Sequence, residues 1–129
     1  MILRTSFALI ALAYPARAET ALLSMEFPGE TFSLSPDSEI EAETVLDMNG
    51  QGALAIKLGP SETEAFGPFT SRHVGEEAVI RICDVEVSRP LMQTPLPGGS
   101  LMIVGDVATN MEHWLGILNA RSCDPALNS

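Results

Sequence analysis

Between Glu39 and Leu58 the chain alternates in a way that leaves one folding option. Glu39, Glu41, Glu43 and Asp47 fall on one side of the stretch, and Ile40, Ala42, Thr44 and Leu46 on the other. A period of two is that of a strand with one face in water and one in a core. Asn49-Gly50 follows, a pair that tolerates the positive φ angles of a tight hairpin. Ala53 to Leu58 then returns with Leu54, Ile56 and Leu58 on one face. A hairpin polarised in this way must lay its apolar face on other elements.

The remaining segments supply them. Ala21 to Phe27 reads as a strand turned by Pro28-Gly29. Ala78 to Cys83 is a strong strand, followed after a turn near Asp84-Val85 by a shorter one around Glu86 to Arg89, and Leu101 to Val104 is a further one. Ser61 and Glu64 form a capping-box pattern that opens a helix through Ala65, Phe66 and Phe69. Gly67-Pro68 falls inside that helix and should kink or divide it, and His73-Val74-Gly75 ends it. Thr109 and Glu112 repeat the capping box, and Met111, Trp114, Leu115 and Leu118 then fall at i, i+3, i+4 and i+7. The expected fold is α+β: an antiparallel sheet with two helices packed on one face.

The first eighteen residues have a different character. One cation, Arg4, precedes an apolar run from Phe7 to Ala13, and Ala16-Arg17-Ala18 supplies a small-x-small cleavage pattern. Cation, short apolar core and small-residue site in that order describe a secretory signal peptide. The expectation is removal of residues 1–18, leaving residues 19–129 as a single periplasmic domain with no stable membrane insertion. The whole chain carries a net charge of −10, and loss of Arg4 and Arg17 makes the remainder two charges more negative. So acidic a surface repels phosphate backbones, which excludes nucleic acid as a natural partner.

Cys83 and Cys123 are expected to pair in an oxidising compartment. Closing a loop of about 40 residues stabilises by roughly 4 kcal/mol on the chain-entropy account. Alternation sets Cys83 with Val79 and Arg81, opposite Ile80 and Ile82, so the bridge requires a particular docking of the last helix. The cysteines have no histidine at zinc-ligand spacing.

Tests for catalytic chemistry return little. The histidines are His73, closing a helix near Arg72, and His113, beside the apolar stripe of the last helix; both read as surface residues. Asp47-Met48-Asn49-Gly50 opens like a calcium loop, but the twelfth position is Leu58 where a bidentate glutamate belongs. Glu39, Glu41 and Glu43 project too far apart to converge on one ion and read as a solvated face. Gly98-Gly99-Ser100 lacks a phosphate-binding lysine and leads into a strand, so it reads as a flexible turn. No cofactor is expected. The loop from Pro90 to Gly99 is more informative, because Leu91, Met92 and Leu96 stand among three prolines without regular pairing. Such segments either tuck onto their own core or stay exposed and grip partners, methionine adapting to varied shapes.

From Val45 onward the order of motifs resembles the periplasmic head subdomain of SecD, a subunit of the bacterial protein-export machinery. Leu46-Asp47 and Asn49-Gly50 precede Phe66 and Phe69, as a Leu-Asp strand end and an Asn-Gly-type turn precede a phenylalanine-bearing helix in that family. His73-Val74-Gly75, Ala78-Val79-Ile80, Asp84 and Val87-Ser88-Arg89-Pro90 follow in the family's order, then Pro97-Gly98-Gly99-Ser100 and Ile103-Val104-Gly105-Asp106-Val107 leading to Thr109. Val85 stands where the family has a turn glycine, so that hairpin must be built differently, and Val107 replaces a phenylalanine. Cys83 and Cys123 look like additions, and no segment matches the family's multi-span membrane part. The resemblance implies a SecD-like fold and contact with unfolded polypeptide.

The functional expectation is a non-catalytic periplasmic module that binds a protein or extended polypeptide, with Leu91, Met92, Leu96, Gly98 and Gly99 as its candidate contact residues. Two other classes stay open. One is a small hydrolase joining His73 or His113 to Asp84 or Asp106. The other is a small-molecule carrier, which needs an enclosed apolar cavity.

Overall fold

The computed structural model describes residues 20–104 and 110–123. Within them the order is β1 (Leu23–Phe27), β2 (Glu30–Leu34), β3 (Ile40–Leu46), β4 (Gly52–Leu58), α1 (Pro60–Ser71), β5 (Val79–Ile82), β6 (Val85–Ser88), β7 (Ser100–Ile103) and α2 (Met111–Ala120). The α+β class with antiparallel pairing is as expected, but the strands are shared between two sheets where one was anticipated. One has the order β2-β1-β5-β6 and the other β3-β4-β7. The division follows from β1. It pairs β2 on one side and β5 on the other, which leaves β4 to take β7 as its second neighbour. β2 has no counterpart among the strands expected from the sequence.

Register places like with like. Leu23 and Met25 face Ile82 and Ile80 across the first sheet, and Met25 faces Phe32 on its other side. In the second sheet Ile56 sits between Ala42 and Leu101, and Leu54 between Thr44 and Ile103. These faces meet in one core that also takes Phe66 and Phe69 from α1 and Ile117 and Leu118 from α2. Full burial of each such side chain contributes about 1.5–3 kcal/mol relative to exposure.

The helices divide between the sheets. Phe66 of α1 meets Phe32 with ring centroids 5.0 Å apart, and Phe69 meets Phe27 at 5.4 Å, whereas α2 lies along β3 and β4. The expected capping box of α1 does not form, because the helix begins earlier. Gly59 is its N-cap and Pro60 its first turn, where a missing N–H costs nothing, so Ser61 and Glu64 lie inside. The helix also runs through Gly67-Pro68 as one element to Ser71, with Pro68 on its exposed side. At α2 the N-cap is Asn110; Thr109, with Gly105, Asp106 and Val107, lies outside the described residues. So do residues 1–18 and the expected cut after Ala18.

Two turns differ from expectation. The β3–β4 connection is a loop organised by Asp47, whose Oδ1 accepts N–H bonds from Asn49 and Gln51, both at 2.8 Å. It is therefore longer than a two-residue Asn49-Gly50 turn. Between β5 and β6 the central residues are Cys83 (φ 52°) and Asp84 (φ 68°), one position earlier than expected. Two left-handed residues in succession are what a type I′ hairpin requires. Val85 pairs with Ile82 and so starts β6. The turn also lifts Cys83 out of the alternation of β5, which removes the geometric difficulty of the bridge. Cys83 is disulfide-bonded to Cys123, Cα atoms 5.6 Å apart, just beyond the end of α2.

Candidate functional site

The segment from Pro90 to Gly99 is more ordered by pairing than its sequence suggests. Ala78 N–H donates to Pro90 O at 2.8 Å, Met92 N–H to Glu76 O at 2.9 Å, and Gly75 N–H to Met92 O at 2.7 Å. Residues 90–92 thus form a strap laid antiparallel against the approach to β5. Further along, Leu96 N–H donates to Thr70 Oγ1 at 2.9 Å, a hydroxyl that itself donates to Gly67 O and is wholly buried. Gly99 O closes the segment by accepting from Leu58 N–H at 2.8 Å.

This pinning separates the five candidate residues. Leu91 is 55% exposed while Met92 is 6% exposed and part of the core. Leu96 is half-buried. Gly98 is at the surface, but Gly99 is buried against Thr63 with φ +73°. A side chain at Gly99 would collide with the Thr63 hydroxyl, so this glycine is there for packing and not as a flexible turn.

A cleft of about 770 Å³ opens beside the strap. Leu91, Met92 and Leu96 form one wall, and Ser100, Leu101 and Met102 of β7 bring the free side of the smaller sheet to it. Met25 and Ile80 of the larger sheet also reach it, and Glu41, Glu43 and Lys57 supply its charged groups. Three of its side chains are methionines, Met25, Met92 and Met102, which adapt their shape to what they touch. Met102 was missed in the sequence, where the run Leu101-Met102-Ile103 reads only as a strand. The signal in the sequence is its place out of phase with Leu101 and Ile103; in the structure it pairs with Ala55 and is 52% exposed. By contrast, the gap enclosed between Leu23, Phe32, Phe66 and Leu101 measures only about 10 Å³.

The second notable cluster centres on His73, which is buried at 8% exposure and not a surface residue as expected. Its Nε2 lies 2.6 Å from Glu30 Oε1 and its Nδ1 2.8 Å from Glu76 Oε1, and Arg72 pairs with the other oxygen of Glu30 at 2.6 Å. Helix-end position predicted solvent; the return of β2, invisible in the sequence, covers it. Hydrogen bonds from Arg72 and then His73 hold the Glu30 carboxyl well below its usual range, at about 2. Hydrogen bonds to Glu30 and then Glu76 push the His73 imidazole up. With both ring nitrogens committed to carboxylates, His73 works as an ion-pair hub joining β2, the end of α1 and the start of the strap's partner segment. His113 is exposed, edge-on to Trp114 at 4.7 Å, and Asp84 is taken up by its hairpin turn. Among the described residues no cluster of three or more His, Cys, Asp or Glu is arranged to hold a metal ion.

No family model matches the chain. A translocase subunit SecD from Rhodobacter capsulatus is 33% identical over 69 residues, covering 54% of this chain and 12% of that protein. The SecD of Dictyoglomus turgidum is 29% identical over 102 residues, covering 78% of this chain and 25% of its own length. A solved structure of SecDF, described as a membrane component that enhances protein export, matches with a TM-score of 0.58 at 16% identity. That match covers 66% of this chain and 39% of the solved one.

The chain carries a SecD-like domain.

It spans a quarter or less of the length of these curated SecD relatives. Among the described residues no helix of the SecD-like domain is long and apolar enough to cross a membrane. Its α+β fold of two antiparallel sheets and two helices matches the SecDF neighbour. The β5–β6 turn is built on Cys83 and Asp84, where the resemblance led to an Asp-Gly turn at the positions of Asp84 and Val85.

Proposed function

We propose that this SecD-like domain acts as a non-catalytic module that holds unfolded polypeptide in the cleft between the strap and β7. In this reading the domain spans residues 19–129, is exported behind a signal peptide cut after Ala18, and works in the periplasm. The observation that carries it is the cleft itself. It is about 770 Å³ in size, walled by Leu91, Leu96, Leu101 and three methionines, and open to solvent. An apolar trough with adaptable walls suits chain segments of varied sequence better than one small ligand. The likeness to a protein that enhances export supports a polypeptide as its natural occupant.

The test uses purified domain and a fluorescent, carboxymethylated polypeptide that stays unfolded. Leu91→Ser/Met102→Ser changes two exposed side chains of the cleft and should weaken binding at least tenfold while leaving the melting temperature near wild type. Leu46→Ser, at the exposed hairpin tip away from the cleft, should bind as wild type does. Met92 is left untouched because it belongs to the core. Absence of binding, or equal binding by all three proteins, overturns the reading. Mass spectrometry of protein from a periplasmic fraction tests the export part: the chain should begin at Glu19.

A further inference from the structure

Two strand edges open onto the cleft, one from each sheet. On the smaller sheet the edge is β7, which among the described strands pairs with β4 alone. Leu58 N–H donates to Gly99 O, so antiparallel register turns the backbone groups of Leu101 and Ile103 toward β4 as well. Those of Ser100 and Met102 point the other way, to a side that no described strand pairs. On the larger sheet the strap prolongs the edge of β6, since Glu77 opposes Leu91 in the same register as Ile80 opposes Ser88. The bonds from Ala78 N–H to Pro90 O and from Met92 N–H to Glu76 O flank Leu91, which turns its own N–H and C=O outward.

Leu91, Ser100 and Met102 all line the one cleft. Core-facing side chains of both sheets, Met25 and Ile80 from one and Ile56 from the other, line it too. Open edges are commonly guarded by charge or proline. β2 carries Glu30 and β3 carries Glu41 and Glu43, whereas β7, Ser-Leu-Met-Ile, carries neither charge nor proline. Two unpaired rows of donors and acceptors on one apolar cleft are the complement of a single extended chain, whose own backbone groups alternate between its two sides. A small apolar ligand leaves both rows unpaired, and a second copy joined through β7 uses one row only.

Resting on the polypeptide reading above, we infer that the captured segment enters as an additional strand between the two edges, its backbone hydrogen-bonded to Ser100 and Met102 on one side and to Leu91 on the other. The order then becomes continuous, β2-β1-β5-β6 and strap, guest, β7-β4-β3. Because β7 has four residues, the length held in register is roughly 13 Å of extended chain. Recognition reads the guest's backbone, so any proline-free segment that can extend is accepted, and alternate side chains tune affinity through Leu91 and Met102.

The probe is a labelled peptide of alternating valine and serine, read by fluorescence anisotropy on the purified domain. N-methylation of either alternating set of its amides should weaken binding about tenfold or more, because each set faces one edge. In the free domain the amides of Leu91, Ser100 and Met102 should exchange fast, and saturating peptide should slow all three by about tenfold or more. Sensitivity to one methylation set only, or protection confined to β7 or to the strap, overturns the insertion and leaves the polypeptide reading standing. Binding that survives both methylations but is lost in Leu91→Ser/Met102→Ser does the same. So does failure of the peptide to bind while the carboxymethylated polypeptide binds. If neither binds, or if the three amides are already protected in a dimer seen by sedimentation, both proposals fall.

Discussion

The imidazole of His73 lies flat against the ring of Phe27, centroids 4.4 Å apart and planes within 4°. The stack fixes the ring so that both nitrogens point at carboxylates, Glu30 on β2 and Glu76 beyond α1. A hydrophobic strand residue thus orients a charged junction between a hairpin and a helix end.

Stability should depend on pH through this junction. Glu30, lowered from 4.5 to about 2, contributes stability that is present above pH 4.5 and lost as pH falls through about 2. His73, raised above 6.5, contributes stability that is fully present below pH 6.5 and lost as pH climbs through its raised value. The difference in melting temperature between wild type and Glu30→Gln should therefore be largest between about pH 4.5 and 6.5 and shrink on either side. NMR titration checks the assignment: His73 should titrate above 6.5 in wild type and lower in Glu30→Gln. A wild-type midpoint at or below the ordinary histidine value contradicts the junction.

Thr70 is the internal anchor of the strap's far end. Replacing it with valine keeps the shape but leaves Leu96 N–H without its acceptor, at a cost of about 1–3 kcal/mol in urea unfolding. Leu96 amide exchange should quicken at the same time, and Thr70→Ser should restore both. Unchanged protection at Leu96 would mean that the segment is held elsewhere.

The two adjacent glycines should respond oppositely to alanine. At Gly99 the left-handed backbone and the collision with Thr63 together cost roughly 2–4 kcal/mol. Gly98 has open space where a Cβ would go, so its change should stay within about 0.5 kcal/mol. Adding Thr63→Ala to Gly99→Ala should recover part of the loss. Equal effects at the two positions would remove the packing argument.

Much of this was legible in the sequence, for identifiable reasons. Period two in Glu39–Leu58 announced β3 and β4 because Ile40, Leu54, Ile56 and Leu58 are core while Glu41 and Glu43 are solvated. The expected core side ends there, since Thr44 and Leu46 lie exposed toward the hairpin tip. Pairing of Cys83 with Cys123 followed from the expected compartment and from there being two cysteines. What escaped depends on tertiary contact. β2 was passed over because Phe32 and Leu34 are the only strongly apolar residues in Glu30–Leu34, too few to set a period. His73 read as exposed because only β2's return brings Glu30 over it. Met92 and Leu91 are equivalent in sequence, and only pairing with residues 75–78 sends one inward and the other out.

The bridge should contribute about 4 kcal/mol to global stability. Cys83→Ser/Cys123→Ser should lower unfolding free energy by about that amount. Intact mass of the wild-type domain should lie about two hydrogens below the reduced form. Two free thiols in protein purified without reductant would remove this contribution.

The same bond sets how the domain carries mechanical load. Cys83 and Cys123 are separated by 40 residues, and between them lie β6, the strap, β7 and α2. Tension applied at the two ends of the chain passes from one sulfur to the other and skips that entire stretch. Roughly 130–140 Å of extended chain stays hidden from a pulling force until the bond is reduced. β7 and the strap beside it lie inside the bypassed stretch, so a pull on the two chain ends does not extend them while the bond is intact.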